Sequence, residues 1–392
     1  MSPAPPAPPA PAPSIPIRAS GILWGAVIVT NGVQSFSFAD AVAVTAAVNP
    51  ALPGNLDAPN LTFQVQQTRI GVILGDGAQL RGQIEVDFVH FESSSPTVQA
   101  YPRLRIALAE WIPAEGHRLF LGQTWDIFSP LNAHTINLVG NMFWAGNSGF
   151  MRHQLGWEGT FGDAKLALAA GFQGANTGPT FNNLEQSMTP TGAARFTYRL
   201  GSNGSIGASA IATALRFTAT DPMTMMALEE RRLALGGNLF ADLTFGPLSL
   251  RLEGYIAQNL ANMGALTLGM GRFGSDVADA GGYVSTRLTL EQHALTATFG
   301  IAGVLTAASL VPGYVVGTGP TDPSRLDGAR GPGVEWNVTG HVGYVFTPLP
   351  GLQLMLEPYL YVTRHRLDAA DVGRVSPERI ALGVQVGSMF TF

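Results

Sequence analysis

Charged side chains recur at alternate positions in several stretches of this chain, and the positions between them are mostly apolar or small. Arg81, Glu85 and Asp87 follow this pattern in one segment, and Arg103 and Arg105 follow it in the next. A guanidinium group binds a carboxylate or a phosphate through two parallel hydrogen bonds, and rings of such charges select ions in channels. The pattern therefore predicts electrostatic selection of a solute.

The same alternation predicts which charged residues face water. Successive side chains of a strand point to opposite faces, and an Arg or Lys on the lipid face of a membrane barrel costs about 2–4 kcal/mol at the midplane. We therefore assign to a water-filled interior the charged residues that share parity with polar neighbours, with basic groups in excess. The candidate pore-lining and selectivity residues are Arg81, Glu85, Asp87, Arg103, Arg105, Arg152, Glu158, Arg195, Arg199, Arg232, Arg251 and Arg287.

Two interpretations of this interior remain open. An excess of arginines favours a mild preference for anions. Alternatively, acids such as Glu85 and Asp87 pair with the arginines and leave a pore that sorts solutes by size alone.

Residues for other kinds of chemistry are sparse. The chain has no cysteine, and its seven histidines are scattered without the spacing of a zinc site. The segment around Ser148 (Gly-Asn-Ser-Gly-Phe) is not a nucleophile elbow. We expect no enzyme activity, cofactor or metal, although a hydrolase barrel with His153, Glu158 and His341 on its wall is a weaker alternative.

The elements that must position the charges are predicted to be strands. Leu248, Leu250 and Leu252 interleave with Arg251 and Glu253, which is a period of two. Segments of about 10–14 residues with this alternation continue from Ile17 to Phe392, as is typical of membrane β-barrels.

Turn residues divide the segments in an alternating manner. Seven short turns rich in Gly, Asp and Pro alternate along the chain with eight long polar loops, one of them near 218–230. This predicts an all-β, transmembrane antiparallel β-barrel of about sixteen strands with short periplasmic turns and long extracellular loops. The short turns lie near Gly75–Gly77, Pro113–Gly116, Gly162–Asp163, Gly201–Gly204, Gly246–Pro247, Glu291–His293 and Thr347–Gly351.

The third long loop, around 126–151, is the candidate constriction of the pore. It offers neutral hydrogen-bonding groups and few charges. The alternative is an ordinary exterior loop. Its candidate residues are Asp126, Asn132, His134, Asn141 and Asn147.

Composition supports one barrel domain over 17–392, preceded by a flexible Pro/Ala-rich tail over 1–16. Charged residues make up only 12% of the chain against 46% hydrophobic, whereas soluble domains average about 25% charged. The net charge of -5 argues against a nucleic-acid partner. A transmembrane helix within 294–321 and a soluble β-sandwich or propeller are the competing interpretations, and any export signal is expected to have been removed.

The last segment ends in alternating Val384, Val386, Phe390 and Phe392. This ending resembles the C-terminal strand of bacterial outer-membrane proteins, and it predicts that location. Aromatic residues near strand ends are candidates for the interfacial girdles, although some are expected to pack inside. They are Trp24, Trp111, Trp125, Tyr255, Tyr344, Phe346, Tyr359 and Tyr361.

Four runs, 67–71 (QTRIG), 81–88 (RGQIEVDF), 103–105 (RLR) and 121–125 (LGQTW), follow one another as in DcaP-like outer-membrane porins, which this region resembles. The resemblance implies a homotrimer of sixteen-stranded barrels that passes small solutes, often anionic or dicarboxylate. The Pro-rich tail departs from members with a helical N-terminal segment.

Together these features predict an outer-membrane porin, embedded in lipid, for passive diffusion of small hydrophilic solutes. A purely structural envelope barrel is the alternative, and single-channel conductance would separate the two.

Overall fold

A computed structural model of the chain contains seventeen β-strand segments in the part that it describes. It describes residues 15–30, 60–75, 78–89, 102–136, 142, 145–149, 151–172, 190–220, 227–260, 278–306, 333–366 and 378–392. The strands are β1 (Ile17–Thr30), β2 (Asn60–Gln64), β3 (Arg69–Leu74), β4 (Leu80–Asp87), β5 (Arg103–Ala114), β6 (His117–Trp125), β7 (Met151–Phe161), β8 (Ala164–Phe172), β9 (Thr191–Arg199), β10 (Gly204–Thr220), β11 (Ala227–Phe245), β12 (Leu248–Gln258), β13 (Ala278–Leu290), β14 (His293–Thr306), β15 (Gly333–Leu349), β16 (Leu352–Arg366) and β17 (Glu378–Thr391).

The strands form one closed antiparallel barrel. Each segment from β3 to β17 pairs with the next, and β1 closes the ring by pairing with β17 from Ile22 opposite Thr391 to Thr30 opposite Gly383. On its other edge β1 pairs with β2 and β3 in succession, so these two segments form one wall strand, interrupted at 65–68. The barrel therefore has sixteen strands, which confirms the predicted fold class.

The interruption is closed by a side chain. The Thr68 hydroxyl accepts a hydrogen bond from the Trp24 backbone N–H and donates one to the Trp24 carbonyl oxygen, both at 3.1 Å. These bonds replace two that a continuous ladder would supply, so the backbone of β1 stays satisfied at the gap.

The short turns lie where the glycines and prolines predict them. β7 ends at Phe161 and β8 begins at Ala164, for example, and β11 ends at Phe245 before β12 begins at Leu248. The loop expected over 218–230 is shorter, because β10 and β11 remain paired out to Thr220 opposite Ala227.

Parts of the predicted organisation lie outside the described residues. Most of the long connections and residues 1–14 of the tail belong to this part. Within the described residues, no helix has the length and hydropathy to cross a bilayer, and the start of the competing helical segment is instead strand β14. The connections concerned are 31–59, 90–101, 173–189, 221–226, 261–277, 307–332 and 367–377.

The two faces of the wall have opposite character. Outward side chains such as Leu239 and Val342 are 68% and 60% exposed, whereas inward polar side chains such as Asn337 and Gln385 are fully buried. Trp24 is buried too and packs inside against Ile136, so it does not belong to an outer girdle. An apolar exterior around a polar interior suits a lipid-embedded barrel.

Candidate functional site

The predicted arginines of β4 and β5 lie on the inner wall and are paired with carboxylates. Arg103 binds Asp87 through two hydrogen bonds of 2.8 and 2.6 Å, and Arg105 binds Glu85 at 2.6 Å. Arg81 lies 3.3 Å from Glu110. These charges therefore form an array in which cations and acids alternate.

A β-bulge lets Arg105 join this array. The pairing of β4 with β5 passes from Glu85 opposite Ile106 to Val86 opposite Leu104, so Arg105 is the extra residue. A bulge puts two residues opposite one and changes the alternation beyond it. Arg105 and Glu110 can therefore both be buried on the inner side although they differ in parity.

Glu158 on β7 is the centre of a second array. Its two oxygens lie 2.8 Å from Arg118, 2.6 Å from Lys165 and 3.1 Å from Arg195. Arg118 also binds Glu110, which joins this array to Arg81. The wall thus carries a connected set of four cations around two carboxylates.

Exposure separates the two signs of charge along this wall. The side chains of Arg81, Arg118 and Lys165 are 38%, 35% and 42% exposed, whereas those of Glu110 and Glu158 are 3% and 6% exposed. Each carboxylate is covered by the cations that bind it. The surface that faces the lumen is therefore mainly cationic in this region.

The segment that follows β6 crosses the barrel interior. Asp126 begins it by accepting hydrogen bonds from the backbone N–H groups of Phe128 and Ser129, and it binds Arg152 at 3.1 Å. The Phe128 carbonyl oxygen then accepts hydrogen bonds from Ser209 and Asn238 on β10 and β11.

The segment continues along the opposite wall. The Asn132 carbonyl accepts a hydrogen bond from Arg251 at 2.9 Å. The His134 N–H donates to Ser285 at 2.8 Å, and the Ile136 N–H donates to Glu357 at 2.9 Å. These contacts place 126–136 inside the barrel, against strands β10 to β16.

The return of the segment lies close to the wall as well. The Asn147 amide donates to the Leu131 carbonyl at 3.0 Å. A side chain at Gly300 on β14 would collide with Met142 and with the Ala145 carbonyl oxygen. Asn141 lies outside the described residues.

The acids of this second wall are buried and hydrogen-bonded. Glu253 accepts hydrogen bonds from Asn238 and Tyr283, and Asp279 accepts one from Tyr255. Buried acids need such partners because an unpaired charge away from water is very costly. Glu253, Asp279 and Glu357 are 4% exposed or less.

The other predicted residues have different surroundings. Arg251 lies 3.4 Å from Asp242, and Arg287 is half-buried with no ion pair among the described residues. Arg199 is exposed at the end of β9. The backbone of Arg232 lies in β11, and its side chain falls outside the described part of the chain.

His134 lies between the segment and the cations of β12 and β13. Its Nε2 is 3.3 Å from the Ser249 hydroxyl. Burial and the positive charges of Arg251 and Arg287 lower the pKa of His134 to about 4. The ring is therefore neutral near pH 7.

A buried chain of hydrogen bonds resembles part of a hydrolase triad. His341 Nε2 is 2.9 Å from the Thr339 hydroxyl, and its Nδ1 is 3.2 Å from Glu357. All three side chains are at most 2% exposed, and the Thr339 hydroxyl donates to the Leu360 carbonyl. The hydroxyl is buried and bound on both sides, unlike an accessible nucleophile. His153 lies on the outer, exposed face of β7 and takes no part.

Sequence reasoning missed several inner charged residues. Arg69 lies close enough to Arg105, Glu85 and Asp87 to interact electrostatically with them. Arg118 was missed although it shares parity with the inward Phe120 on β6. Arg69 falls just after the gap between β2 and β3, where alternation gives no signal.

Comparisons with known proteins agree with this architecture. No protein-family model matches the chain, and no curated protein matches it. The outer membrane channel DcaP of Acinetobacter baumannii has a similar structure, with 15% identity, a TM-score of 0.69 and coverage of 96% of this chain and 97% of that one. An anion-selective porin from Comamonas acidovorans matches with 11% identity and a TM-score of 0.56, over 97% of this chain and 100% of that one.

A trimer form of OmpT, an outer membrane protein of Vibrio cholerae, matches with 9% identity and a TM-score of 0.55, over 97% and 100% of the two chains. At these identities the likeness establishes the fold. The chain has the fold of outer-membrane porin barrels, and the resemblance to DcaP-like porins is confirmed at the level of the fold.

Proposed function

We propose that this chain is a porin for passive diffusion of small hydrophilic solutes and that its pore prefers anions. The observation that carries the preference is the unequal exposure of the charges. Cations such as Arg81 and Lys165 present 38% and 42% of their side chains, while the acids that bind them are nearly covered. An ion in the lumen meets guanidinium and ammonium groups before it meets a carboxylate.

The segment 126–136 strengthens this asymmetry. It lies against Glu253 and Glu357 on the β10–β16 side, while the exposed cations Arg81, Arg118 and Lys165 of the other wall remain accessible. The segment acts as the constriction, because it occupies part of the cross-section within the strands. Glu85 and Asp242, at 18% and 33% exposure, are the more accessible acids and moderate the preference.

The assembly that we propose is a homotrimer in the outer membrane. One of the solved structures with a similar fold is a trimer form. Small residues on the outer face of β1, such as Ala19 and Gly25, would let neighbouring barrels approach. Native mass spectrometry in mild detergent measures the number of chains in the assembly.

Reversal potentials of the purified protein in a planar bilayer test the selectivity. In a KCl gradient near 0.1 M, chloride should permeate more readily than potassium. Replacing both Arg81 and Lys165 by Gln should lower the chloride-to-potassium permeability ratio by about fourfold. A unit charge 8 Å away in water shifts the energy of each ion by about 0.5 kcal/mol, and screening at 0.1 M about halves this shift. Because the shift has opposite sign for chloride and potassium, the ratio changes about twofold for each cation removed.

Arg364→Gln is the matched control, because Arg364 is an exposed cation paired with Glu378 at the far end of β16. It should leave the ratio unchanged. Raising the salt to 1 M should weaken the preference, since the screening length falls to about 3 Å. Equal permeabilities in the wild type and the double variant would contradict the anion preference, and absence of any conductance would favour a structural barrel.

A further inference from the structure

A polar cavity of about 220 Å³ lies inside the barrel, between the wall strands β5–β9 and the start of the inner segment. Leu108, Arg118, Phe120, Glu158 and Arg195 contribute its wall side. One water occupies about 30 Å³ in the liquid. The cavity therefore has room for a small organic solute.

The charged groups of the cavity offer hydrogen-bond donors rather than acceptors. Glu158 is bound by Arg118, Arg195 and Lys165, and Asp126 is bound by Arg152 and by two backbone N–H groups. The acceptors are thus largely used.

The two arginines of the cavity have N–H donors that bind no acceptor among the described residues. A guanidinium group has five N–H donors. Within the described residues, Arg195 uses only Nη2, on Glu158, while Arg118 uses its two Nη atoms, on Glu110 and Glu158. Their side chains are 16% and 35% exposed, so these donors can reach a solute.

The geometry points to one anionic group per solute. Arg118 and Arg195 bind the two oxygens of the same carboxylate, at 2.8 and 3.1 Å, so they lie close enough to share a single anion. They are the only cations that line the described part of the cavity. Asp126 also lines the cavity, so a second anionic group on the solute would meet an acid and no further cation of the described lining.

One side of the cavity is apolar, although Thr124, Ser129 and Asn132 also line it. Leu108 packs with Phe120 and Ile127 in one cluster. The Arg118 guanidinium lies over the Phe120 ring at 5.1 Å, which holds its plane against this cluster. A hydrocarbon group next to the bound anion would be removed from water here.

We propose that this cavity is a binding site for small monoanions with a compact apolar body, of the short-chain monocarboxylate class. The solute's carboxylate binds Arg118 and Arg195, and its hydrocarbon part lies on Leu108 and Phe120. This inference rests on the proposed porin function and specifies the solute class of the pore.

Block of the chloride current by added sodium butanoate tests the site in planar bilayers. Butanoate, with about six non-hydrogen atoms, should reduce the chloride current at lower concentration than acetate or succinate. Arg195→Gln should raise the half-blocking concentration of butanoate about tenfold, as expected for the loss of charge-assisted hydrogen bonds. Leu108→Asn should weaken the block by butanoate and leave the block by acetate unchanged.

The matched control is Arg364→Gln, which removes a cation outside the cavity, paired with Glu378 at the end of β16. It should leave the half-blocking concentration of butanoate as it is. The comparison of butanoate, acetate and succinate uses the wild-type protein, so it tests the proposal even if Arg195→Gln does not fold. Equal or stronger block by succinate, or no block at all in a pore that prefers chloride, would overturn the site while the porin function stands. A pore without anion preference would instead contradict the proposed function.

Discussion

Truncation of Phe128 should loosen the inner segment from the wall. The Phe128 side chain is fully buried, and it packs against Ile211, Tyr255 and Leu260 in the lumen. Removal of a buried phenyl ring costs about 3–5 kcal/mol. If most of this cost destabilises the conformation in which the segment is bound to the wall, the equilibrium ratio of bound to released segment drops by about two orders of magnitude or more, since each 1.36 kcal/mol is tenfold.

Single-channel recording measures the result. Phe128→Ala should give a larger mean conductance and frequent current fluctuations, because a released segment would no longer hold one position in the lumen. Phe299→Ala is the control, since Phe299 is 48% exposed on the outer face of β14 and lies away from the segment. If Phe128→Ala conducts with the wild-type amplitude and noise, the segment does not act as the constriction that we propose.

Two further predictions concern the same segment. Gly300→Ala should destabilise the protein in detergent by about 1–3 kcal/mol, because the added methyl group overpacks the contact with the segment. Gly340→Ala on β15 is the control and should not destabilise it, because a Cβ there meets open space. Equal melting temperatures of the two variants would contradict the close contact between Gly300 and the segment. His134 has a pKa lowered to about 4, so the unfolded chain takes up the proton first as pH falls, and the stabilisation present above about pH 6.5 is lost towards pH 4. Unfolding of the wild type should therefore lose about 1–2 kcal/mol over this range relative to His134→Gln, after allowance for solvent at the partly exposed ring; parallel pH profiles would contradict the burial of a neutral ring.

Local patterns in the sequence were enough to predict the barrel. Alternation such as Leu250, Arg251 and Leu252 depends only on neighbours in the chain, because a strand places them on opposite faces. The turns at Gly162 and Gly246 were also readable, since both adopt positive φ, which glycine tolerates best. Both signals are local, and both were confirmed.

Polarity alone misled the prediction at one place. Residues 218–230 were assigned to a loop, yet β10 and β11 remain paired out to Thr220 opposite Ala227, so that Glu229 and Glu230 belong to β11. Strand pairing continues as long as the backbone groups find partners, whatever the side chains are. Polar side chains on a strand are expensive only where lipid surrounds them.

The charge pairs of the lumen could not be predicted from the sequence, because they depend on the register between strands. Arg195 and Glu158 are 37 residues apart, and they meet only because β8 lies between β7 and β9 in the closed barrel. The bulge at Arg105 changes the alternation by one residue, and nothing in its neighbours indicates this shift.

The sequence by itself determined that the chain is a barrel, which segments cross it and which face of most strands carries the charges, because these properties follow from neighbouring residues and from the cost of a charge in lipid. Only the tertiary structure decided which charges remain accessible. Burial of Glu253 and Glu357 beneath the segment at Phe128 and Ile136 results from the path of a segment without strand alternation across the interior. That path depends on contacts with strands more than 80 residues away, and no local pattern encodes it.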